Sequence, residues 1–180
     1  ATIHTDPDGT VYTNYSDGSS GIANPDGSSD SWDIAGNHTN ISADGNTVVT
    51  NVDGSGYSQS TDGSGSTWDG QGNGTWSGAD GSQSWFDAAG NTGSTDADGN
   101  YSYTNIDGSS GTLNIDGSGS TDDGQGNTGS FDAAGNATWI AADGCSGFNN
   151  IDGSYGMTYI DSTSFTSDTD GNITFYDANG

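Results

Sequence analysis

The chain has no lysine, no arginine and no glutamate, so all 25 of its acidic residues are aspartate and its formal charge is −25. Without a cation it makes no Lys or Arg ion pair. It has nothing with which to neutralise phosphates, so nucleic acid is excluded as a partner. Attraction to an anionic membrane surface is excluded on the same ground, and no apolar run reaches the length of a membrane span. Trypsin has no site to cut. Only two histidines, His4 and His38, are present, and one cysteine, Cys145. No internal disulfide can form, and Cys145 reads as a small substitute for serine. Leu, Ile, Val and Phe together supply 20 of 180 residues. That is too few for an ordinary globular core and lies in the compositional range of disorder.

Glycine is what the chain has instead. It recurs at every ninth position from Gly9 to Gly180, and Ser162 is the one break. The chain is twenty nonapeptides without insertion or deletion, which argues against disorder. With this glycine as position 9, position 8 is Asp in fourteen repeats, and position 1 is nearly always Ser, Asn or Thr. Asp-Gly flanked by such residues is tight-turn chemistry, because Gly accepts a positive φ and Asp bonds nearby backbone N–H groups. Positions 2 to 7 read as extended, and the dominance of Gly, Asp, Asn, Ser and β-branched residues excludes helix.

Position 7 is small or β-branched, as at Ile34, Val52, Ile106, Ile115 and Ile151, and never charged. It is therefore expected to point inward with positions 5 and 3. The large residues at position 4, among them Trp76, Trp85, Trp139 and Phe175, would then face out and do not fit this alternation easily. Odd and even repeats differ. Position 8 is Asp in nine of ten odd repeats but five of ten even ones, and of the position-3 glycines, Gly21, Gly93, Gly111, Gly129 and Gly147 fall in odd repeats and only Gly156 in an even one. The expected fold is all-β: a β-solenoid or β-roll with about 18 residues per coil, each coil holding two short strands and two Asp-Gly turns. Ten coils would stack to roughly 48 Å. Segments also recur at an offset of 54, as between residues 26–37 and 80–91 and between 62–73 and 116–127. No linker interrupts residues 1–180, which read as one repeat domain, uncapped at both ends.

Three chemistries are open to such a chain. Asp6-Pro7-Asp8-Gly9, Asp96-Ala97-Asp98-Gly99 and Asp168-Thr169-Asp170-Gly171 alternate oxygen ligands around a glycine. Asp6, Asp8, Asp96, Asp98, Asp168 and Asp170 are thus the candidate ligands for Ca²⁺, the expected cofactor if there is one. The rival reading is turn capping alone. Asn-x-Ser/Thr occurs at Asn14, Asn37, Asn40, Asn73, Asn100, Asn136 and Asn172, the candidate glycan acceptors of a secreted chain. Catalysis is not expected: the carboxylates recur rather than converge, the histidines read as solvated, and there is no nucleophile elbow.

The nonapeptide with Gly and Asp in its turn resembles the RTX calcium-binding β-roll family. The likeness extends over the whole chain in period, although the RTX Gly-Gly-x-Gly-x-Asp run is replaced here by a single Asp-Gly. It implies a calcium-binding module. More broadly, composition and period resemble glycan-coated extracellular repeat fibrils. The expectation is a structural repeat segment of an extracellular fibre or surface adhesin that associates end to end and carries covalent glycans. The alternatives are the calcium-binding β-roll and an ice-binding solenoid.

Overall fold

A computed structural model describes residues 1–179; the last glycine of the series, Gly180, lies outside the described residues. The chain is all-β, with no helix among the described residues. Its contacts divide it into two units, Ala1–Ala88 and Ala89–Gly180. The first holds β1 (Thr2–Thr5), β2 (Val11–Asn14), β3 (Ser20–Ala23), β4 (Ser29–Trp32), β5 (His38–Ile41), β6 (Thr47–Thr50), β7 (Ser55–Gln59), β8 (Gly65–Asp69), β9 (Gly74–Ser77) and β10 (Gln83–Phe86). The second holds β11 (Thr92–Thr95), β12 (Tyr101–Thr104), β13 (Ser109–Leu113), β14 (Gly119–Asp123), β15 (Thr128–Phe131), β16 (Ala137–Ile140), β17 (Ser146–Asn149), β18 (Tyr155–Thr158), β19 (Ser164–Ser167) and β20 (Ile173–Tyr176).

Within each unit every strand pairs antiparallel with the next in sequence, giving an up-and-down meander. The expected two-strand coil does not form. A coil would pair each strand in parallel with the one two repeats on, whereas Thr2 here faces Asn14 and Ile3 faces Thr13 on the very next strand. The reason lies in the turn. Gly99 N–H donates to the Asp96 carbonyl at 3.0 Å, and Asp96 N–H donates to the Asn100 carbonyl at 2.9 Å. Gly99 has φ +92°. This is a three-residue hairpin loop closed by a left-handed glycine, which reverses the chain and returns it beside itself.

The odd–even difference has the same origin. Position 3 of one strand faces position 4 of the next, and position 2 faces position 5. A given sheet face therefore alternates positions 3 and 5 from odd repeats with positions 2 and 4 from even repeats. It returns to the same residue set every 18 residues, the period that suggests a coil. Position 7 is not inward either. It sits at the turn tip, where Ile34, Ile106 and Ile115 are 75%, 74% and 77% exposed. Its role is to cover the glycine of a neighbouring turn: Ile115 Cδ1 lies 3.4 Å from where a Cβ on Gly99 would stand.

No hydrophobic side chain among the described residues is buried. Stability must come from ladder hydrogen bonds, turns and cross-strand side-chain pairs, each of the last contributing about 0.2–1 kcal/mol. Two kinds of pair recur. Hydroxyls bond across strands, as Ser94–Ser102 at 2.9 Å, Thr112–Ser120 at 2.8 Å and Ser130–Thr138 at 2.7 Å, all on one face. Aromatic rings lie over glycines on the adjacent strand: Trp68 over Gly56, Phe86 over Gly74, Tyr103 over Gly111 and Trp139 over Gly147. A Cβ on Gly147 would stand 2.7 Å from the Trp139 ring. The missing side chain is what lets the ring lie down on the sheet.

Ser162 completes a turn with φ +67°, its N–H donating to the Tyr159 carbonyl at 2.9 Å. An L-residue in this region costs about 1–2 kcal/mol, partly offset by the greater entropy that glycine loses on folding. Ser162→Gly is expected to raise stability by about 1 kcal/mol, read as a shift in the denaturant midpoint without a change in slope. An unchanged or lowered midpoint would show that the position is not strained.

Candidate binding surface

The turns are built on two interchangeable plans, and every nonapeptide carries an aspartate at position 6 or position 8. In one plan the position-8 carboxylate accepts the N–H and the hydroxyl of position 1: Asp107 Oδ1 takes Ser109 N–H at 2.9 Å and Ser109 Oγ–H at 2.7 Å. In the other the position-6 carboxylate accepts N–H groups from positions 8 and 1 and the side-chain amide of an asparagine. Asp132 Oδ1 takes Ala134 and Asn136 N–H, both at 2.9 Å, and Asp132 Oδ2 takes Asn136 Nδ2–H at 2.7 Å. The asparagine then reaches the next turn along the same edge, where Asn136 Oδ1 accepts Ile151 N–H at 3.1 Å. Asn37, Asn73 and Asn100 make the same link to Val52, Ala88 and Ile115.

These bonds favour the ionised carboxylate. The hydroxyl and backbone N–H of Ser109 hold Asp107 below the usual value of 3.8. The Asn136 amide, then its backbone N–H, does the same for Asp132.

The expected calcium ligands lie in such turns. Asp96 Oδ1 takes the N–H groups of Asp98 and Asn100, and Asp168 Oδ1 those of Asp170 and Asn172. Asp8 takes Thr10 N–H at 3.0 Å, and Asp6 takes His4 at 2.8 Å. No group of three or more His, Cys, Asp or Glu side chains placed to hold a metal occurs among the described residues. Of the expected glycan acceptors, Asn37, Asn73, Asn100, Asn136 and Asn172 donate Nδ2–H to the position-6 aspartate of their own turn. Asn40 donates to Asp30 at 3.0 Å, and Asn14 is exposed at the end of β2. Cys145 occupies a serine's place, its N–H on Asp143 at 2.9 Å, and burial pushes its thiol up.

His38 is not simply solvated. Its Nε2 lies 2.8 Å from Asp30 Oδ1, and its ring stacks on Trp32 at 4.6 Å and 16°. The Asn40 amide, then His38, holds the Asp30 carboxyl below its ordinary value.

The second unit carries a trough of about 540 Å³. Tyr103 on β12 and Trp139 on β16 wall it, Thr121 and Gly129 floor it, and Asp123 and Asn127 at the β14–β15 turn rim it; the Asp122 side chain, one residue on from Thr121, belongs to the opposite face. The two rings stand four strands apart, roughly 19 Å at the normal spacing. The rim is held firmly: Asp123 takes Gln125 N–H at 2.8 Å and Asn127 N–H at 3.0 Å, and Asn127 Oδ1 takes Ala142 N–H at 2.9 Å. No histidine lines it. Sequence reading missed this site. Its signal was split between position-3 glycines of odd repeats and position-4 rings of even repeats, and only the antiparallel register joins them.

Comparison with family models gives no match, and comparison with curated proteins gives none either. Among solved structures, the TCP10 domain of Danio rerio CPAP in complex with a peptide of Danio rerio STIL is similar, with a TM-score of 0.51 and 16% identity over 99% of this chain and 94% of that one. A mutant form of the same domain gives 0.50 and 18% over 99% and 100%. A G-box domain of the microcephaly protein CPAP, for which a role in centriole elongation is suggested, gives 0.40 and 14% over 93% and 98%. The likeness to the first two is one of fold.

These findings overturn the fibre expectation. End-to-end association was inferred from stacked, uncapped coils, and the strands form no coil. The domains sharing the fold come from CPAP and not from an extracellular fibre, an adhesin, an RTX calcium module or an ice-binding solenoid, and one of them holds a partner peptide. Extracellular or cell-surface placement and a glycan sheath, drawn from the same inference, are withdrawn with it.

The turn carboxylates make the fold acid-sensitive. Their folded pKa values lie below 3.8, so their contribution is complete above 3.8 and is lost as pH falls through the folded values. The melting temperature, followed by circular dichroism at constant ionic strength, is expected to drop below pH 3.8. A rise there would mean that relief of the −25 charge outweighs the turn bonds.

Proposed function

We propose that this chain is a protein-binding module, not an enzyme, and that the second unit takes an extended cationic segment of a partner protein across β12–β16. The observation that carries the reading is the trough between Tyr103 and Trp139, open on a sheet face and rimmed by Asp123 and Asn127. Its chemistry selects the partner. Aromatic faces attract Lys and Arg, each well-placed contact being worth about 0.5–2 kcal/mol. The rim supplies the Asp123 carboxylate, and the chain has no Lys or Arg to compete for it. The small floor residues leave backbone within reach of an extended segment. The peptide held by the CPAP TCP10 domain supports the use of this architecture for binding a segment of another protein.

A synthetic peptide of three Arg-Ser-Ala-Gly repeats is the test ligand, with Arg replaced by Gln as control. Binding measured by calorimetry should weaken as salt is raised, and Trp139→Ala or Tyr103→Ala should each cost roughly tenfold in affinity, the loss of one cation–ring contact. Equal binding of the Gln peptide, or variants that bind as the parent does, would refute the assignment.

A further inference from the structure

We infer that the first unit carries a second, separate site for the same class of ligand, on the face of β7–β10 that bears Tyr57 and Trp85. The inference rests on the peptide-binding reading above and extends it from one site to two. Tyr57, Thr67, Thr75 and Trp85 are successive cross-strand partners and so form one row on one face. This row occupies the repeat positions that Tyr103, Gly111, Thr121, Gly129 and Trp139 occupy in the second unit: position 3 of odd repeats and position 4 of even ones. Trp85 and Trp139, and Thr67 and Thr121, are separated by the 54-residue offset at which whole segments recur. A depression of about 210 Å³ lies at the Tyr57 end of the row, lined by Tyr57, Gln59, Gly65, Thr67, Thr75 and Ser77; Trp85 stands on the next strand, beyond its lining.

The site has the same three components as the trough. A ring stands at each end of the row, with small side chains between them. Thr67 and Thr75 bond each other at 2.7 Å, so one of their two hydroxyl protons is already satisfied within the row. Gly63 lines the depression, and the carboxylate before it, Asp62, is held below the usual 3.8 by Ser64, so negative charge stands at the margin. A cationic extended segment is the occupant that this charge and these rings select. Tyr57 and Trp85 are three strands apart, roughly 14 Å, against four strands in the second unit. The shorter row should hold the same peptide less tightly.

The five tryptophans allow the two sites to be read separately. Trp85 and Trp139 lie on ring rows, whereas Trp32, Trp68 and Trp76 lie on the opposite face of their own unit, as the cross-strand register shows. The intact chain labelled with 5-fluorotryptophan would be titrated with the three-repeat Arg-Ser-Ala-Gly peptide and followed by fluorine NMR. The Trp85 and Trp139 signals are both expected to shift, Trp85 with the weaker midpoint, while the other three stay put. Trp85→Phe assigns one signal, and Tyr57→Ala should weaken the Trp85 response roughly tenfold without altering that of Trp139. A shift of Trp139 alone would overturn the second site and leave the first standing. Shifts confined to Trp32, Trp68 or Trp76, or no shift at all, would overturn both.

Discussion

Each strand in this protein is held by its sequence neighbours and by the turn that brings them alongside. Among the described residues no hydrophobic side chain is buried behind it. The turn is therefore the constraint on which everything else depends, and its chemistry is correspondingly redundant. A left-handed glycine closes the loop, and an aspartate at position 6 or 8 accepts the N–H groups that the loop leaves free. Where the aspartate is at position 6, an asparagine ties one turn to the next along the edge. Negative charge is thus the by-product of a structural solution repeated in every nonapeptide, and the −25 charge needs no ion-binding function to account for it.

A sheet without a core must find cohesion in its own surface. Hydroxyl pairs and rings laid over glycines supply it, and both leave the faces open. The same pairing creates the binding surface. A ring laid over a glycine leaves its neighbours accessible, as Trp139 does by lying over Gly147 while Gly129 and Thr121 form the trough floor. Structural economy and recognition therefore draw on the same residues, which is why the site bears no motif that stands apart from the repeat.

Much of the local structure was legible. The ninth-residue glycine announces a turn, and Asp-Gly followed by Ser or Asn announces its hydrogen bonds, because both depend on contacts no more than four residues apart. The all-β class followed from composition. The difference between odd and even repeats was also visible, although an 18-residue period fits a two-strand coil as well as a two-strand return of one face. His38 on Asp30, Trp139 between Gly129 and Gly147, and the Asn136–Ile151 link depend on partners eight to fifteen residues away, and they become readable only when the register is known.

What the sequence determined by itself, then, was the repeat, the turn and the strand, and the absence of any Lys or Arg to compete with a cationic partner. What the tertiary structure decided was the direction of each return. A three-residue loop with a left-handed glycine brings the next strand back antiparallel, so that neighbouring repeats pair and the chain spreads into open sheets. That one geometric choice moved position 7 from an expected interior to the turn tip and assembled the scattered rings and glycines into a surface.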